Sequence, residues 1–307
     1  MKHMLISLSV ALMTILLIIF PKIASASIVE ALALCANSII PALFPFLILS
    51  NLWTGFSNGR KVSAILSQPT RKLLHLPEEA ALPLFLGCIS GFPVGAKVAV
   101  SLYTEGHLQK RDTEHLLLFC SNAGPAFIFG IIGSTVFESP LIAAILWAIH
   151  IFSAFMIGIL FRPKILPAQR NVVTDQKPQR SFSTAFVNAV TDAGKTVFQI
   201  CLFIAAFSVI IGFLSAALPT ILSSSPLYPL LVGFLELSKG IHLLSVLPKS
   251  RAFIYSAVLL AWNGLCVHFQ VLSFTSHASL SLKRYFVGKF LHVILSLTFA
   301  LIFTTLL

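Results

Sequence analysis

The chain has 307 residues, of which 57% are hydrophobic and only 10% are charged, and its mean hydropathy is +0.94. These values exclude the class of soluble globular domains and indicate a polytopic membrane protein. The formal net charge is +11, but the Lys and Arg residues lie in short clusters between apolar runs. Cytoplasmic loops of membrane proteins carry such clusters, so the charge predicts a membrane-lipid environment and no nucleic-acid partner.

The first apolar run covers residues 4–20, and a second runs from about residue 31 to residue 56. A spanning helix needs about 20 apolar residues, so we predict an N-terminal transmembrane helix within residues 1–30 and a second span after it. A cleaved signal peptide is the alternative, because Ala24-Ser25-Ala26 follows the first run. The run is longer than the usual core of a signal peptide, which favours a retained helix.

The next apolar stretch, residues 82–103, is interrupted by the motif GFPVGAK at residues 91–97. Two glycines and a proline within five residues disfavour a continuous spanning helix. Cationic segments flank the stretch on both sides, as expected if both ends lie in the cytoplasm. We therefore predict a re-entrant hairpin of two half-helices.

Residues 115–137 and 141–161 are predicted to span, and the stretch 31–161 makes up a first repeat with its linking span. The basic, proline-rich segment 162–193 is predicted to be a cytoplasmic linker.

In the second half, residues 194–218 are predicted to span, and the shorter stretch 227–247 is interrupted by Glu236, Lys239 and Gly240. Residues 252–274 and 286–307 are two further predicted spans, so that 194–307 holds the second repeat and a final span.

The two interrupted stretches share the pattern Gly-Phe, four residues, Lys, at 91–97 and at 233–239. In each half an asparagine with a glycine one or two residues after it follows that lysine, Asn122 after 25 residues and Asn263 after 24. An odd number of crossings separates corresponding elements, which inverts the second unit. The predicted fold class is therefore all-α: a polytopic membrane protein with two inverted repeats, each containing a re-entrant helical hairpin.

Broken helices at corresponding positions of two inverted halves indicate the solute site of a secondary transporter. Half-helix N-termini attract anions, and Lys97 would add a full positive charge. The alternative for Lys97 is a side chain that reaches back to the cytoplasmic interface. For Lys239 the alternative is neutralisation by Glu236, one helical turn away.

Amide side chains complete the predicted site. Asn122 and Asn263 are either solute contacts or donors of interhelical hydrogen bonds, and both readings stay open. Gln270 follows Asn263 by seven residues and lies on nearly the same helix face. The five cysteines stand singly in apolar stretches, without a CxxC pair or nearby histidines, so neither a disulfide framework, a metal site nor any other cofactor is predicted.

Five motifs together resemble the YlbJ family of sporulation integral membrane proteins, also called SpoVV: PALFPFLILS, GFPVGAK, HLLLFCSNAGPAFIFGIIG, GFLELSKG and AWNGLCVHFQV. The resemblance extends from about residue 38 to residue 285. The wider group carries the nucleoside-recognition Gate domain and is similar to concentrative nucleoside transporters, which have two re-entrant hairpins in inverted repeats.

The resemblance implies a role in endospore formation, a place in the bacterial cell membrane or outer forespore membrane, and movement of dipicolinic acid, a small aromatic dianion. It implies a candidate site made of Gly91, Phe92, Pro93, Gly95, Lys97, Asn122, Gly124, Pro125, Glu236, Asn263 and Gln270. The internal pattern adds Lys239.

Other functions remain as alternatives. A nucleoside is the second candidate solute, since Glu236, Asn122, Asn263 and Gln270 offer hydrogen bonds to a neutral ligand. A non-transporting sporulation scaffold would recruit partners through residues 162–180. No catalytic motif is recognisable, so the chain is not expected to be an enzyme. The oligomeric state is open, and a homo-oligomer is compatible with the sequence.

Overall fold

A computed structural model describes residues 2–55, 58–164 and 181–304. Within these ranges every regular element is a helix. Five helices are long and apolar enough to cross a membrane: Pro21–Leu52, Pro140–Leu160, Phe182–Ala217, Lys249–Thr275 and Lys283–Thr304. The predicted all-helical membrane protein is thereby confirmed, while the central part of the predicted linker, residues 165–180, lies outside the described ranges.

The first half contains helices α1 (Lys2–Ile19), α2 (Pro21–Leu34), α3 (Ile40–Gly55), α4 (Asn58–Leu74), α5 (Ala81–Ile89), α6 (Val94–Thr104), α7 (Lys110–Leu117), α8 (Pro125–Phe127) and α9 (Pro140–Leu160). A π-helical segment, Cys35–Ile39, joins α2 to α3, and a second, Ile128–Phe137, continues α8. A short 3₁₀ turn, Glu78–Ala80, precedes α5.

The second half contains α10 (Phe182–Ala217), α11 (Thr220–Ser223), α12 (Tyr228–Leu235), α13 (Leu237–His242), α14 (Lys249–Trp262), α15 (Gly264–Thr275) and α16 (Lys283–Thr304). A 3₁₀ turn, Leu243–Val246, follows α13.

The second spanning helix begins earlier than the sequence predicted. Pro21 stands at the first position of α2, where its missing N–H is not needed. The helix then continues through the π-helical segment into α3, so the predicted boundary at residue 30 falls inside α2. Most large apolar side chains of α1 are exposed, as lipid contact requires.

Helix α10 also starts before its predicted position. The Ser181 hydroxyl accepts a hydrogen bond from the Thr184 N–H at 3.3 Å and caps the helix. The first helical residue is therefore Phe182, twelve residues before residue 194. The C-terminal end of the predicted linker, residues 182–193, is therefore helical.

Both interrupted stretches form pairs of short helices that pack against each other. A Cβ on Gly95 of α6 would lie 2.7 Å from the Gly87 Cα of α5, and one on Gly240 of α13 would lie 2.1 Å from the Gly233 Cα of α12. Glycines at these positions allow the backbones to touch. The glycine of the first helix that makes this contact is Gly87 in one pair and Gly233 in the other.

Two spans predicted to be continuous are broken near their middle. The span over residues 115–137 is non-helical between Leu117 and Pro125, because a proline cannot continue the hydrogen bonding of the preceding helix. The span over residues 252–274 breaks at Asn263, which has a left-handed φ of 75°. Asparagine adopts this conformation more readily than most residues do.

Candidate solute-binding site

A cavity lies where the two helix pairs α5–α6 and α12–α13 approach α8, α10 and α15. The space between its lining atoms is about 320 Å³ when open solvent is included, but only about 20 Å³ of it can hold the centre of a water-sized molecule, so the cavity is narrow in this conformation. Aliphatic side chains of the first π-helical segment, α3 and α10 form much of its wall, and the remainder comes from Phe92, Phe127, Glu236, Leu237, Ser238, Cys266, Val267 and Gln270. An apolar wall with a few polar groups is typical of small-molecule sites.

Glu236 is the acidic group of the cavity wall, and it is only 2% exposed. Its Oε1 accepts the N–H of Ser238 at 2.9 Å, and its Oε2 accepts the N–H of Lys239 at 2.7 Å. The carboxylate therefore caps the N-terminus of α13, where a negative charge is stabilised by the free N–H groups and the helix dipole.

Gln270 supplies an amide to the same cavity. Its Nε2 lies 3.6 Å from the Cys266 Sγ one turn earlier. Its Oε1 is buried and has no hydrogen-bond partner among the described residues. Buried polar atoms normally find a partner, so this oxygen is available to a donor group on a bound solute.

The turn of GFPVGAK packs on the break that follows α7. Gly91 has a φ of 81°, a backbone conformation that favours glycine. A Cβ there would also lie 2.6 Å from the Gly124 N, so a larger residue would clash. The Phe92 ring lies 5.8 Å from the Phe127 ring. Pro93 precedes α6 and Pro125 begins α8. The structure thus places Gly91 beside Gly124 and Phe92 beside Phe127.

Lys97 does not lie at the cavity. It is exposed in the first turn of α6, and its Nζ lies 5.7 Å from the centroid of the Phe274 ring. It is not one of the cavity-lining residues.

Lys239 does not pair with Glu236, contrary to the alternative that the sequence had left open. Its Nζ lies 2.8 Å from the Glu30 Oε2 of α2, so the ion pair ties α13 to the first spanning helix. Glu236 uses both oxygens on backbone N–H groups instead.

Asn122 and Asn263 are buried and donate to backbone carbonyls. The Asn122 Nδ2 lies 2.9 Å from the Phe119 O, and the Asn263 Nδ2 lies 3.1 Å from the Ser121 O. The second bond joins the break of one half to the break of the other. Neither asparagine lines the cavity.

A buried polar cluster that was not predicted from the sequence lies beside these breaks. Lys289 of α16 is 0% exposed, and its Nζ donates to the Ser121 O. The His150 Nε2 accepts the Ala123 N–H at 2.9 Å, and the His150 and His292 rings stack with centroids 4.5 Å apart. Lys289 lies inside the predicted span 286–307, and this position could have indicated the cluster, because intramembrane lysines are costly and usually functional.

The chain is 26% identical to the sporulation integral membrane protein YlbJ of Bacillus subtilis (strain 168) over an alignment of 304 positions, which covers 86% of this chain and 73% of that protein. No family model matches the chain. No solved structure matches it either.

Proposed function

We propose that this protein belongs to the YlbJ family and transports a small aromatic anion, dipicolinic acid, across the outer forespore membrane during endospore formation. The solute occupies the cavity between Phe92 and Glu236. The similarity to a sporulation integral membrane protein supports the biological setting. The cavity supports the transport function, because it lies at the point where four interruptions of the helical backbone converge.

The position of the cavity is the observation that carries this proposal. Non-helical backbone at membrane depth is tolerated where it is buried in protein or lines a solute path. The turn at Gly91, the break before Pro125, the α12–α13 junction at Glu236 and the break at Asn263 are all such backbone. Transporters place their solutes between broken helices of this kind.

The proposal includes two inverted repeats with re-entrant hairpins α5–α6 and α12–α13. Each pair has a glycine contact between its helices, Gly87 with Gly95 and Gly233 with Gly240. Each pair precedes a broken helix, and the two breaks meet at the hydrogen bond from Asn263 to Ser121. These matching features support a repeated unit, and the odd number of crossings between the two pairs implies its inversion, although Lys249 and Arg251 would then lie on the non-cytoplasmic side against the positive-inside rule.

The aromatic ring of the solute would pack against the pair formed by Phe92 and Phe127, which line the cavity and contact each other with ring centroids 5.8 Å apart. Positive charge would come from Lys97 in the first turn of α6 and Lys239 in the first turn of α13; neither lines the cavity, so both side chains would have to move toward the anion, and Lys239 would have to leave Glu30. Both helices begin at the cavity.

A nucleoside is the second candidate solute, and the cavity wall favours it on one point. The wall carries the carboxylate of Glu236 and the amide of Gln270, but neither lysine. Such groups suit hydrogen bonds to a neutral solute with a ring.

Thermal unfolding of the purified protein in detergent tests the proposal. A ligand that binds the folded state raises the melting temperature by mass action, about 2.7 kcal/mol at a concentration 100 times its Kd. We expect dipicolinate to raise the melting temperature and uridine to leave it unchanged. The Gln270→Leu variant should lose the shift, because it removes the amide without emptying the cavity, while Gln199→Leu on the surface of α10 should keep it.

The lysine variants then decide how the anion is held. Lys97→Gln should weaken the dipicolinate shift, whereas Lys283→Gln at the exposed start of α16 should not. A shift with uridine alone would assign the protein to nucleoside transport. No shift with either solute, together with no uptake into proteoliposomes, would refute transport of both.

A further inference from the structure

The carbonyl groups that follow α7 point into the protein without helical partners. Helix α7 ends at Leu117, and the next carbonyls are used in other ways. The Phe119 O accepts from the Asn122 side chain. The Cys120 O lies against the hairpin, where a Cβ on Gly87 or Gly95 would be 2.1 or 2.2 Å away. These oxygens form the negative end of a helix inside the membrane.

Lys289 brings a cationic group to this negative end. Gly288 makes the approach possible, because a Cβ there would lie 2.1 Å from the Leu118 O. The adjacent Lys289 Nζ donates to the Ser121 O, which also accepts from the Asn263 Nδ2. Among the described residues no carboxylate lies within 4.0 Å of the Lys289 Nζ. The lysine is therefore held by the Ser121 carbonyl and not by an acidic partner.

In Na⁺-coupled transporters, carbonyls of unwound backbone and half-helix C-terminal ends coordinate the Na⁺. The Ser121 O belongs to such a backbone segment. A side-chain cation at that oxygen and a Na⁺ beside it would repel each other inside a low-dielectric environment, and the fully buried lysine already occupies the space.

We propose that the Lys289 ammonium is a built-in cation that takes the position of a coupling Na⁺ at the break between α7 and α8. Transport is accordingly independent of Na⁺. The independence of transport from Na⁺ rests on the proposed transport function. The position of the Lys289 cation can be tested without a transported solute.

Thermal unfolding in detergent, in NaCl or in choline chloride of equal ionic strength, tests the site. The wild type should melt at the same temperature in both salts. Lys289→Ala leaves a gap at the Ser121 carbonyl that Na⁺ can fill and choline cannot, so its lowered melting temperature should rise by roughly 2 °C or more in NaCl. Lys283→Ala, at the exposed start of the same helix, should behave as the wild type.

Stabilisation of the wild type by Na⁺, or a Lys289→Ala variant that responds equally to both salts, would overturn the proposal. If that variant does not fold, uptake by the wild type decides. Dipicolinate uptake into proteoliposomes should be the same with and without an inward Na⁺ gradient, and uptake driven by that gradient would overturn the inference. The melting temperatures are measured without a solute and therefore do not depend on transport. A complete absence of uptake would refute the proposed function, and the response of the melting temperature to salt would still test the cation site.

Discussion

Gly91 and Gly106 have nearly the same backbone conformation in different surroundings. Their φ angles are 81° and 79°, both in the left-handed region that glycine tolerates best. A Cβ on Gly91 would lie 2.6 Å from the Gly124 N, whereas a Cβ on Gly106 would meet no atom within 4 Å. Substitution of Gly106 therefore measures the cost of the left-handed conformation alone, and substitution of Gly91 measures that cost plus the cost of the clash with Gly124.

We expect Gly106→Ala to destabilise the protein by about 1 kcal/mol, the cost of a left-handed alanine. Gly91→Ala should cost about 1–3 kcal/mol more, because the turn must also move away from the break beside it. Melting temperatures of both variants in detergent measure the difference. Equal losses would mean that the contact between Gly91 and Gly124 does not constrain the turn.

Lysines show the limit of sequence reasoning at this scale. The motif GFPVGAK drew attention to Lys97, which the structure places on the exposed side of α6. Among the residues whose burial is described, the fully buried lysine is Lys289, in a helix that the sequence predicted only to be a span. Spacing along one helix does not reveal which face other helices will cover, so the two lysines could not be ranked in advance.

Short helices in this protein depend on glycine contacts more than on their own length. Helix α13 has six residues, too few to be stable alone. It is held by the Glu236 cap, by the ion pair from Lys239 to Glu30, and by direct contact of Gly240 with Gly233. The ion pair joins α13 to α2, whereas the contact between Gly240 and Gly233 joins α13 to α12 and requires a glycine on each of these two helices.

We predict that Gly240→Ala separates α12 from α13 and lowers the melting temperature, because the new Cβ would lie 2.1 Å from the Gly233 Cα. Gly194→Ala is the matched control: this glycine is also helical, and its nearest neighbour is the Phe44 Cε2 at 4.0 Å. It should leave stability unchanged or raise it by up to about 1 kcal/mol through helix propensity. Similar losses in both variants would contradict this role of the glycine contact.

Helix breaks were the elements that the sequence predicted least well. The interruption at GFPVGAK was recognised from two glycines and a proline, and the structure has a turn there. Asn122 and Asn263 were each noted close to a glycine but assigned to continuous spans. A single left-handed asparagine or a proline within an apolar run is compatible with a kinked helix too, and packing against the other half selects the break.

The two halves of the molecule meet at their breaks. The Asn263 Nδ2 of the second half donates to the Ser121 O of the first, and a core of buried side chains from both halves continues around this point. If the halves are inverted as proposed, the ends of α5–α6 lie in the cytoplasm and the ends of α12–α13 lie on the opposite side.

Cysteine labelling tests this topology. We expect Glu105→Cys, at the end of α6, to react with a membrane-impermeant maleimide only from the cytoplasmic side, and Ser245→Cys, after α13, only from the other side. Both positions are exposed, while four of the five native cysteines are buried and Cys88 is half-buried, which keeps the background low. Labelling of both variants from one side would rule out inverted hairpins.

The sequence by itself determined the membrane-spanning, all-helical class and the location of both interrupted stretches, because hydropathy and helix-breaking residues act locally. It also named Phe92 and Glu236 as candidates, and both line the cavity. Tertiary structure alone decided that Lys239 pairs with Glu30, that Lys97 is exposed and that Lys289 is buried at Ser121. Those outcomes depend on which helix faces meet, and residues far apart in the chain settle them through packing.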